Sequence, residues 1–280
     1  MTIESFIPSL WEGRLLANLN DAHVYKECCN TDYEGKIKGQ GSSVKINSIG
    51  RITVTAHSRN TDITAAETLD IAGQWLLIDK AYHFNFQVDD IDAVQMKASV
   101  MDEAMKESAW GFADQVDTSL ATIISAGVAS ANVLTAATVG NGAGEKSAYD
   151  VLVQLDLLLT ENNTPEAGRW AVVPPWYEAM LRTDERFVSF GTDANRAQLR
   201  GAPIGMVSNL TIRKSNNVPS GTDVLAGYKG AVTYAEQIMK VQTYDPQLRF
   251  ADAVKGLIVF GHKVIRPSNL AKIVSTRGTF

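Results

Sequence analysis

The chain has 280 residues and a formal net charge of −5; 45% of its residues are hydrophobic and 20% are charged. This length predicts one elongated subunit or two closely joined domains with a real core, and the composition excludes a disordered or fibrous chain. No apolar run approaches the ~18 residues that span a bilayer, and the first residues show no signal-peptide pattern. The only cysteines, Cys28 and Cys29, are adjacent, so we expect no ordinary structural disulfide and folding in a reducing cytosol.

Charge is distributed unevenly along the chain. Residues 1–35 contain six acidic and two basic side chains, residues 89–127 eight acidic and two basic, and residues 228–280 three acidic and eight basic. An acidic N-terminal segment argues against a sequence-independent grip on nucleic acid. The opposite charges of the other two segments indicate elements that meet, within a subunit or between neighbours, although two solvated faces explain the pattern equally well.

An N-terminal arm with a short amphipathic helix is predicted over residues 3–33. Pro8 interrupts its start, and apolar residues then recur at helical spacing. These residues are Leu10, Trp11, Leu15, Leu16 and Leu19. An apolar helix that precedes any domain core requires another surface to lie on.

A long β-hairpin is predicted over residues 36–88, because apolar and polar residues alternate near both of its ends. Its outgoing strand contains Val44, Ile46, Ile52 and Val54, and its returning strand contains Tyr82, Phe84, Phe86 and Val88. Residues 58–69 between the strands are polar and turn-like. Because such a hairpin is marginally stable alone, we expect it to lie against another body, which is the first indication of oligomerisation.

A very long helix is predicted from Ile91 to Ala126, where apolar residues follow steps of three and four with one seven-residue step across Ser108 and Ala109. At about 1.5 Å per residue the helix is roughly 54 Å long, which exceeds a small domain. We therefore interpret it as a spine. The long step argues against a sustained coiled-coil seam.

The remainder predicts alternating helices and strands. A second helix begins at Ser147-x-x-Asp150 and ends at Asn162, and Pro174-Pro175 begins a third that runs through Leu181. The predicted strands and strand-like segments comprise residues 128–144, 170–173, 201–213, 231–235, 238–244, 257–260 and 262–266.

No residue pattern predicts catalysis, a metal site or a cofactor. The segment from Gly140 to Ser147 approaches a phosphate-binding loop, but Glu145 stands where that loop requires its second glycine. The four histidines are scattered, and no nucleophile elbow is present. Asp89, Asp90 and Asp92 are better explained as helix-capping residues than as a calcium site. We therefore expect a protein that is not an enzyme and has no cofactor.

The order of these elements resembles the major capsid proteins of tailed phages, which have the Hong Kong 97-type fold. Short strings along nearly the whole chain strengthen the resemblance. They are Phe6-Ile-Pro-Ser-Leu-Trp11, Asp32-Tyr-Glu-Gly35, Val44-Lys-Ile-Asn-Ser-Ile-Gly50, Asn60-Thr-Asp-Ile63, Phe84-Asn-Phe-Gln-Val-Asp-Asp-Ile-Asp92, Val173-Pro-Pro-Trp176, and Gly256-Leu through Arg266-Pro267.

The resemblance implies an α+β, Hong Kong 97-like capsid fold with a defined layout. Residues 1–35 would be the N-terminal arm, and residues 36–88 the extended β-hairpin loop that reaches over a neighbour. Residues 89–147 and 228–280 would form the peripheral domain with the spine helix, and residues 148–227 the axial domain. Apolar residues of the arm and hairpin would contact adjacent subunits: Trp11, Leu15, Val44, Ile46, Ile52, Val54, Tyr82, Phe84 and Phe86.

The resemblance also implies a function. Copies would assemble as hexamers and pentamers into an icosahedral head that encloses double-stranded DNA without reading its sequence. A separate scaffold protein is implied, because no long helical N-terminal extension precedes the arm, and a portal and a decoration protein are further expected partners. The protein would be part of the virion, assembled in the host cytoplasm, with no membrane. The alternatives are an encapsulin-like nanocompartment shell and a tail component.

Overall fold

The computed structural model describes residues 23–33, 43–49, 54–60, 62, 65, 71–89, 99–184, 205–247 and 251–279. Within these residues the chain is a mixed α+β protein with three β-sheets and three α-helices. The helices are α1 (Ser99–Gly127), α2 (Ala148–Glu161) and α3 (Pro175–Thr183). The strands are β1 (Ser43–Ile49), β2 (Ile71–Leu77), β3 (Lys80–Asp89), β4 (Val133–Val139), β5 (Arg169–Val173), β6 (Met206–Val207), β7 (Leu210–Lys214), β8 (Asp223–Tyr228), β9 (Val232–Tyr244), β10 (Ala251–Val264) and β11 (Leu270–Arg277).

One of the three sheets has six strands in the order β4-β11-β8-β5-β7-β6. Every residue of β5 is buried, as the apolar run at 170–173 predicts. Ala171 and Val173 pack with α2 and α3 on one face, whereas Trp170 and Val172 pack with α1 on the other. A strand covered on both faces requires this continuous apolar sequence.

The residues predicted to begin α2 and α3 do begin these helices. The hydroxyl of Ser147 accepts a hydrogen bond from the Tyr149 amide at 3.3 Å and so caps α2. Beyond its C-terminus, Asn163 adopts a left-handed backbone conformation with φ of 55°. Helix α3 begins at Pro175, and the Tyr177 hydroxyl donates to the Ala148 carbonyl at 2.7 Å, which ties the two helices together.

Helix α1 is 29 residues long and packs on two different sheets. Its first part packs on a three-stranded sheet through Met105, Ala109 and Phe112, and its second part packs on the six-stranded sheet through Val116 and Leu120. Ala109 is fully buried and fills the predicted seven-residue step, so the apolar face is continuous. The predicted start at Ile91 lies outside the described residues.

The three-stranded sheet has the order β3-β10-β9, with both pairs antiparallel. Phe84 of β3 faces α1 and lies 5.3 Å from Phe112 between ring centroids. The prediction that Tyr82–Val88 returns against the strand containing Val44 is therefore wrong. Val44 pairs instead with Leu76 of β2, so β1 and β2 form the hairpin and β3 belongs to another sheet.

The base of the β1–β2 hairpin is fastened to the three-stranded sheet. Val44, Ile46, Leu76 and Ile78 form an apolar cluster whose other members include Ala235 of β9 and Val259 of β10. The backbones approach closely at Gly261, where an added Cβ would lie 3.0 Å from the Cα atom of Ile78. Glycine permits this approach because it has no side chain.

Strands β9 and β10 are longer than the sequence predicts. They contain 13 and 14 residues, whereas the sequence predicts two short strands in place of each. A register shift at Leu257 and Ile258 bends the ladder without ending it. Strands β9 and β10 remain paired from Val232 and Val264 at one end to Tyr244 and Ala253 at the other.

Candidate functional site

Within the described residues, a serine–histidine contact that resembles a catalytic pair lacks the third group of a triad. The Ser119 hydroxyl and His262 Nε2 lie 2.7 Å apart. The other ring nitrogen of His262 is buried without a hydrogen-bond partner, and burial lowers the pKa of this imidazole. A general base of this kind is normally oriented by an acid on that nitrogen. The contact therefore serves to join α1 to β10.

The loop between Gly140 and Ser147 binds its own glutamate. The Glu145 carboxylate accepts the Gly142 amide at 2.8 Å and the Thr279 amide at 3.0 Å, and these bonds hold the pKa of Glu145 below its ordinary value. A carboxylate that occupies these amides blocks a phosphate from the same position. The loop thus anchors the C-terminal segment through Thr279, a contact that the sequence does not predict.

We expect Glu145→Gln to loosen this anchor. A carboxyl group with a lowered folded-state pKa stabilises the fold above the ordinary carboxyl range, and this contribution is lost as pH falls through the folded-state value. Hydrogen exchange of the Gly142 and Thr279 amides should be faster in the variant at about pH 7, and wild type should approach the variant at about pH 3. Equal protection of both proteins at neutral pH would contradict the role of Glu145.

No group of three or more His, Cys, Asp or Glu side chains that could hold a metal occurs among the described residues. Among the same residues, no helix is long and apolar enough to cross a membrane.

The hairpin carries large apolar side chains that remain exposed in the part of the chain that the structure describes. On β2, Trp75 is 51% exposed and Leu77 is 58% exposed, while Leu76 and Ile78 point into the subunit core. Val54, in the segment that follows β1, is 92% exposed. We call the exposed side chains of Trp75 and Leu77, two residues apart on the same side of β2, the hairpin face. Sequence reasoning missed Trp75 and Leu77, because β2 is apolar on both faces and shows no alternation.

Lysines lie next to the hairpin face. Lys45 is exposed on β1 directly opposite Trp75, and Lys263 of β10 donates to the Trp75 carbonyl at 3.0 Å. Lys80 lies 3.6 Å from Asp79 at the start of β3. The apolar side chains of the hairpin face thus have polar, charged neighbours, and protein interfaces likewise have a polar rim.

The predicted contact residues fall into four groups. Val44 and Ile46 are buried in the subunit's own core, and Tyr82, Phe84 and Phe86 are half-buried on the side of the sheet that faces α1. Val54 is exposed. The remaining residues, Trp11, Leu15 and Ile52, lie outside the described residues. Among the described ones, Val54 has the most exposed side chain, and the contacts with neighbouring subunits remain predictions.

Comparison with known proteins gives the fold its context. A profile of the phage capsid protein family matches residues 78–273. A solved structure from Mycobacterium phage Che8 is 27% identical, with a TM-score of 0.71 and coverage of 90% of each chain. The capsid structure of the cyanophage P-SCSP1u is 16% identical, with a TM-score of 0.72 over 92% of this chain and 89% of that one.

A third similar structure is the capsid of Ralstonia phage GP4, which is 15% identical with a TM-score of 0.67 over 87% of this chain and 85% of that one. A search of curated protein sequences returns no match. The fold is thus that of a viral shell subunit of the Hong Kong 97-like class. The chain belongs to the phage capsid protein family, and it is a structural protein of the capsid. The nanocompartment alternative is not favoured.

Proposed function

We propose that this major capsid protein closes into a head of hexamers and pentamers by placing its hairpin face on an adjacent subunit. The observation that carries the proposal is the exposure of Trp75 and Leu77 on β2, and of Val54 in the segment that follows β1, on a hairpin whose base is packed on the three-stranded sheet. Exposed apolar clusters of this kind are uncommon on monomers and mark interaction surfaces. A heterologous contact repeated around a ring leads to a closed assembly.

The domain layout remains part of this proposal. Residues 1–35 would be the arm, residues 89–147 and 228–280 the peripheral domain, and residues 148–227 the axial domain. Because β3 pairs with β10, residues 80–88 group with the peripheral domain, and the extended loop shortens to residues 36–78. The predicted contacts of Trp11, Leu15 and Ile52 belong to the same proposal.

The enclosed molecule would be double-stranded DNA, held without sequence recognition. A net charge of −5 supports this view, because DNA neutralised by small cations requires no basic lining. Within this proposal the protein performs no catalysis, and a scaffold protein, a portal and a decoration protein act with it. Assembly takes place in the host cytoplasm.

We expect Trp75→Asp to weaken shell assembly far more than subunit folding. Loss of a buried aromatic contact costs about 2 kcal/mol per interface, which raises the protein concentration needed for assembly by about thirtyfold. Folding should change by less than about 1 kcal/mol, since half of this side chain is exposed in the subunit. Sedimentation velocity measures assembly, and urea unfolding measures stability.

Thr122→Asp is the matched control, because it adds the same charge at an exposed position of α1, which is not part of the hairpin. It should assemble near the wild-type concentration. Shells formed by Trp75→Asp at the wild-type concentration would refute the role of the hairpin face. A large loss of folding stability in Trp75→Asp would instead place Trp75 in the subunit core.

A further inference from the structure

The loop between β4 and α2 contains Asn141-Gly142, the only asparagine followed by glycine in the 280 residues. Such a pair is chemically labile, because glycine has no side chain to obstruct the approach of its backbone nitrogen to the neighbouring side-chain amide. Asparagine is accordingly one of the residues that thermostable proteins contain less often. Asn141 is exposed, so water reaches it. The loop thus contains a site at which the chain can modify itself.

The reaction that this pair permits is deamidation through a cyclic imide. The Gly142 nitrogen gives its proton to solvent and bonds to Cγ of Asn141. The bond from Cγ to Nδ2 breaks, and that nitrogen takes a proton from solvent and leaves as ammonia. One water molecule then opens the ring at either of its two carbonyl carbons. The product has aspartate or isoaspartate at position 141, and no oxidant or reductant takes part.

The attacking nitrogen is held by the Glu145 carboxylate. The Gly142 N–H donates to Glu145 Oε2 at 2.8 Å, and this hydrogen bond must break before the nitrogen can bond to Asn141. A hydrogen bond to an ionised carboxylate is stronger than one between neutral groups. The negative charge of Glu145 also opposes removal of the proton, because removal leaves a second negative charge beside the first. Glu145 therefore slows the reaction in two ways.

Further hydrogen bonds hold both parts of Asn141. Its amide donates to the Thr279 carbonyl at 2.9 Å, and its Nδ2 donates to the Thr183 hydroxyl at 3.3 Å. The Thr279 amide in turn donates to Glu145 Oε2 at 3.0 Å. A Cβ atom added at Gly140 would lie 2.6 Å from the Thr279 carbonyl oxygen, so the loop and the C-terminal segment are in close contact. The Asn141 side chain is thus restrained from turning back towards its own backbone.

We propose that Asn141-Gly142 is a deamidation site that Glu145 protects, and that its modification loosens the contact between the loop and the C-terminal segment. Isoaspartate routes the backbone through one additional carbon atom, which displaces the Gly142 nitrogen from the Glu145 carboxylate. Either product also adds a carboxylate to the same loop as Glu145. The hold of Glu145 on Thr279 is then weaker. The proposal goes beyond shell formation and does not depend on the hairpin face.

Peptide mapping by mass spectrometry on the full-length protein tests the protection. At mildly alkaline pH, deamidation of Asn141 should be at least about tenfold slower in the folded protein than in a peptide of residues 138–147. Glu145→Gln keeps the size of the side chain and removes its charge, so it should raise the rate in the folded protein by about tenfold. Glu145→Ala, which removes the acceptor altogether, should raise the rate at least as much.

Glu161→Gln is the matched control, because it removes one carboxylate at an exposed position at the end of α2. This variant should deamidate at the wild-type rate. Circular dichroism checks that each variant is folded. A wild-type rate equal to that of the peptide, or a rate that neither Glu145 variant raises, would overturn the protective role of Glu145.

Hydrogen exchange tests the consequence of the modification. Ion exchange separates the deamidated protein, which has one more negative charge than the unmodified protein. The Thr279 amide should exchange about tenfold faster in the deamidated protein, because its carboxylate acceptor is displaced. The amides of β5, which lies between β7 and β8, serve as an internal reference and should be unchanged. Equal protection of Thr279 in both proteins would show that the modification does not loosen the C-terminal segment.

Discussion

A subunit in which residues 50–70 are replaced by Asn-Gly is expected to fold normally and to lose shell assembly. Ile49 and Ile71 are directly paired in the β1–β2 ladder, so a two-residue turn can join them without a change of register. Asn-Gly suits such a turn, because both residues tolerate the positive φ angles that it requires. The buried base of the hairpin, including Val44 and Leu76, stays intact.

The expected loss of assembly is large, because the deletion removes Val54 and every other residue beyond the ladder. Removing one or two well-covered apolar side chains from each contact costs about 3 kcal/mol, which raises the assembly concentration by more than about a hundredfold. Negative-stain microscopy and sedimentation velocity count the shells. Urea unfolding should show a transition close to that of wild type.

His57→Ala combined with Asn60→Gly is the matched control for this deletion. Both residues are exposed in the same segment, and glycine suits position 60, where φ is 63°. The control keeps the length of the loop and the side chain of Val54, so it should assemble like wild type. Regular shells from the deletion variant at the wild-type concentration would show that the loop is dispensable.

The sequence predicts those parts of the fold that short-range rules decide. Ser147 caps α2, Pro175 begins α3, and the apolar run of β5 is buried on both faces, each as predicted. In each case the determining interaction lies within a few residues of the chain. The class of fold and the capsid family are likewise confirmed.

Strand pairing was predicted wrongly, because alternation identifies a strand but not its partner. Tyr82, Phe84 and Phe86 alternate clearly, yet β3 pairs with β10, about 170 residues later in the chain. The true returning strand, β2, contains Gly73 and apolar residues on both faces, which hides its period. Trp75 and Leu77 were therefore absent from the predicted contact residues.

The buried contacts of His23 with Asp117 and Glu236 were beyond sequence reasoning for a similar reason. His23, Asp117 and Glu236 come from three separate elements, and each is an ordinary residue in its own neighbourhood. Only the packing of the N-terminal segment across α1 and β9 brings their side chains together. Single histidines have no periodicity that would indicate a buried position.

Arg169→Ala is expected to destabilise the whole subunit by about 3–5 kcal/mol. Arg169 is 2% exposed, and its guanidinium donates to Asp156 at 2.6 Å, to Thr160 at 2.8 Å and to the Thr164 carbonyl at 2.5 Å. The alanine variant leaves the Asp156 carboxylate buried without its cation. An unpaired buried charge is far more unfavourable than the absence of the pair.

Because Arg169 begins β5 and Asp156 lies on α2, this loss should also disturb how α2 packs on the six-stranded sheet. Arg182→Ala is the matched control: Arg182 pairs with Glu178 one helical turn away at a partly exposed position, so it should cost less than about 1 kcal/mol. Urea unfolding compares the two variants. Assembly should fail in Arg169→Ala together with folding, whereas Trp75→Asp should lose assembly alone. A stable, shell-forming Arg169→Ala subunit would show that this buried ion pair does not hold α2 in place.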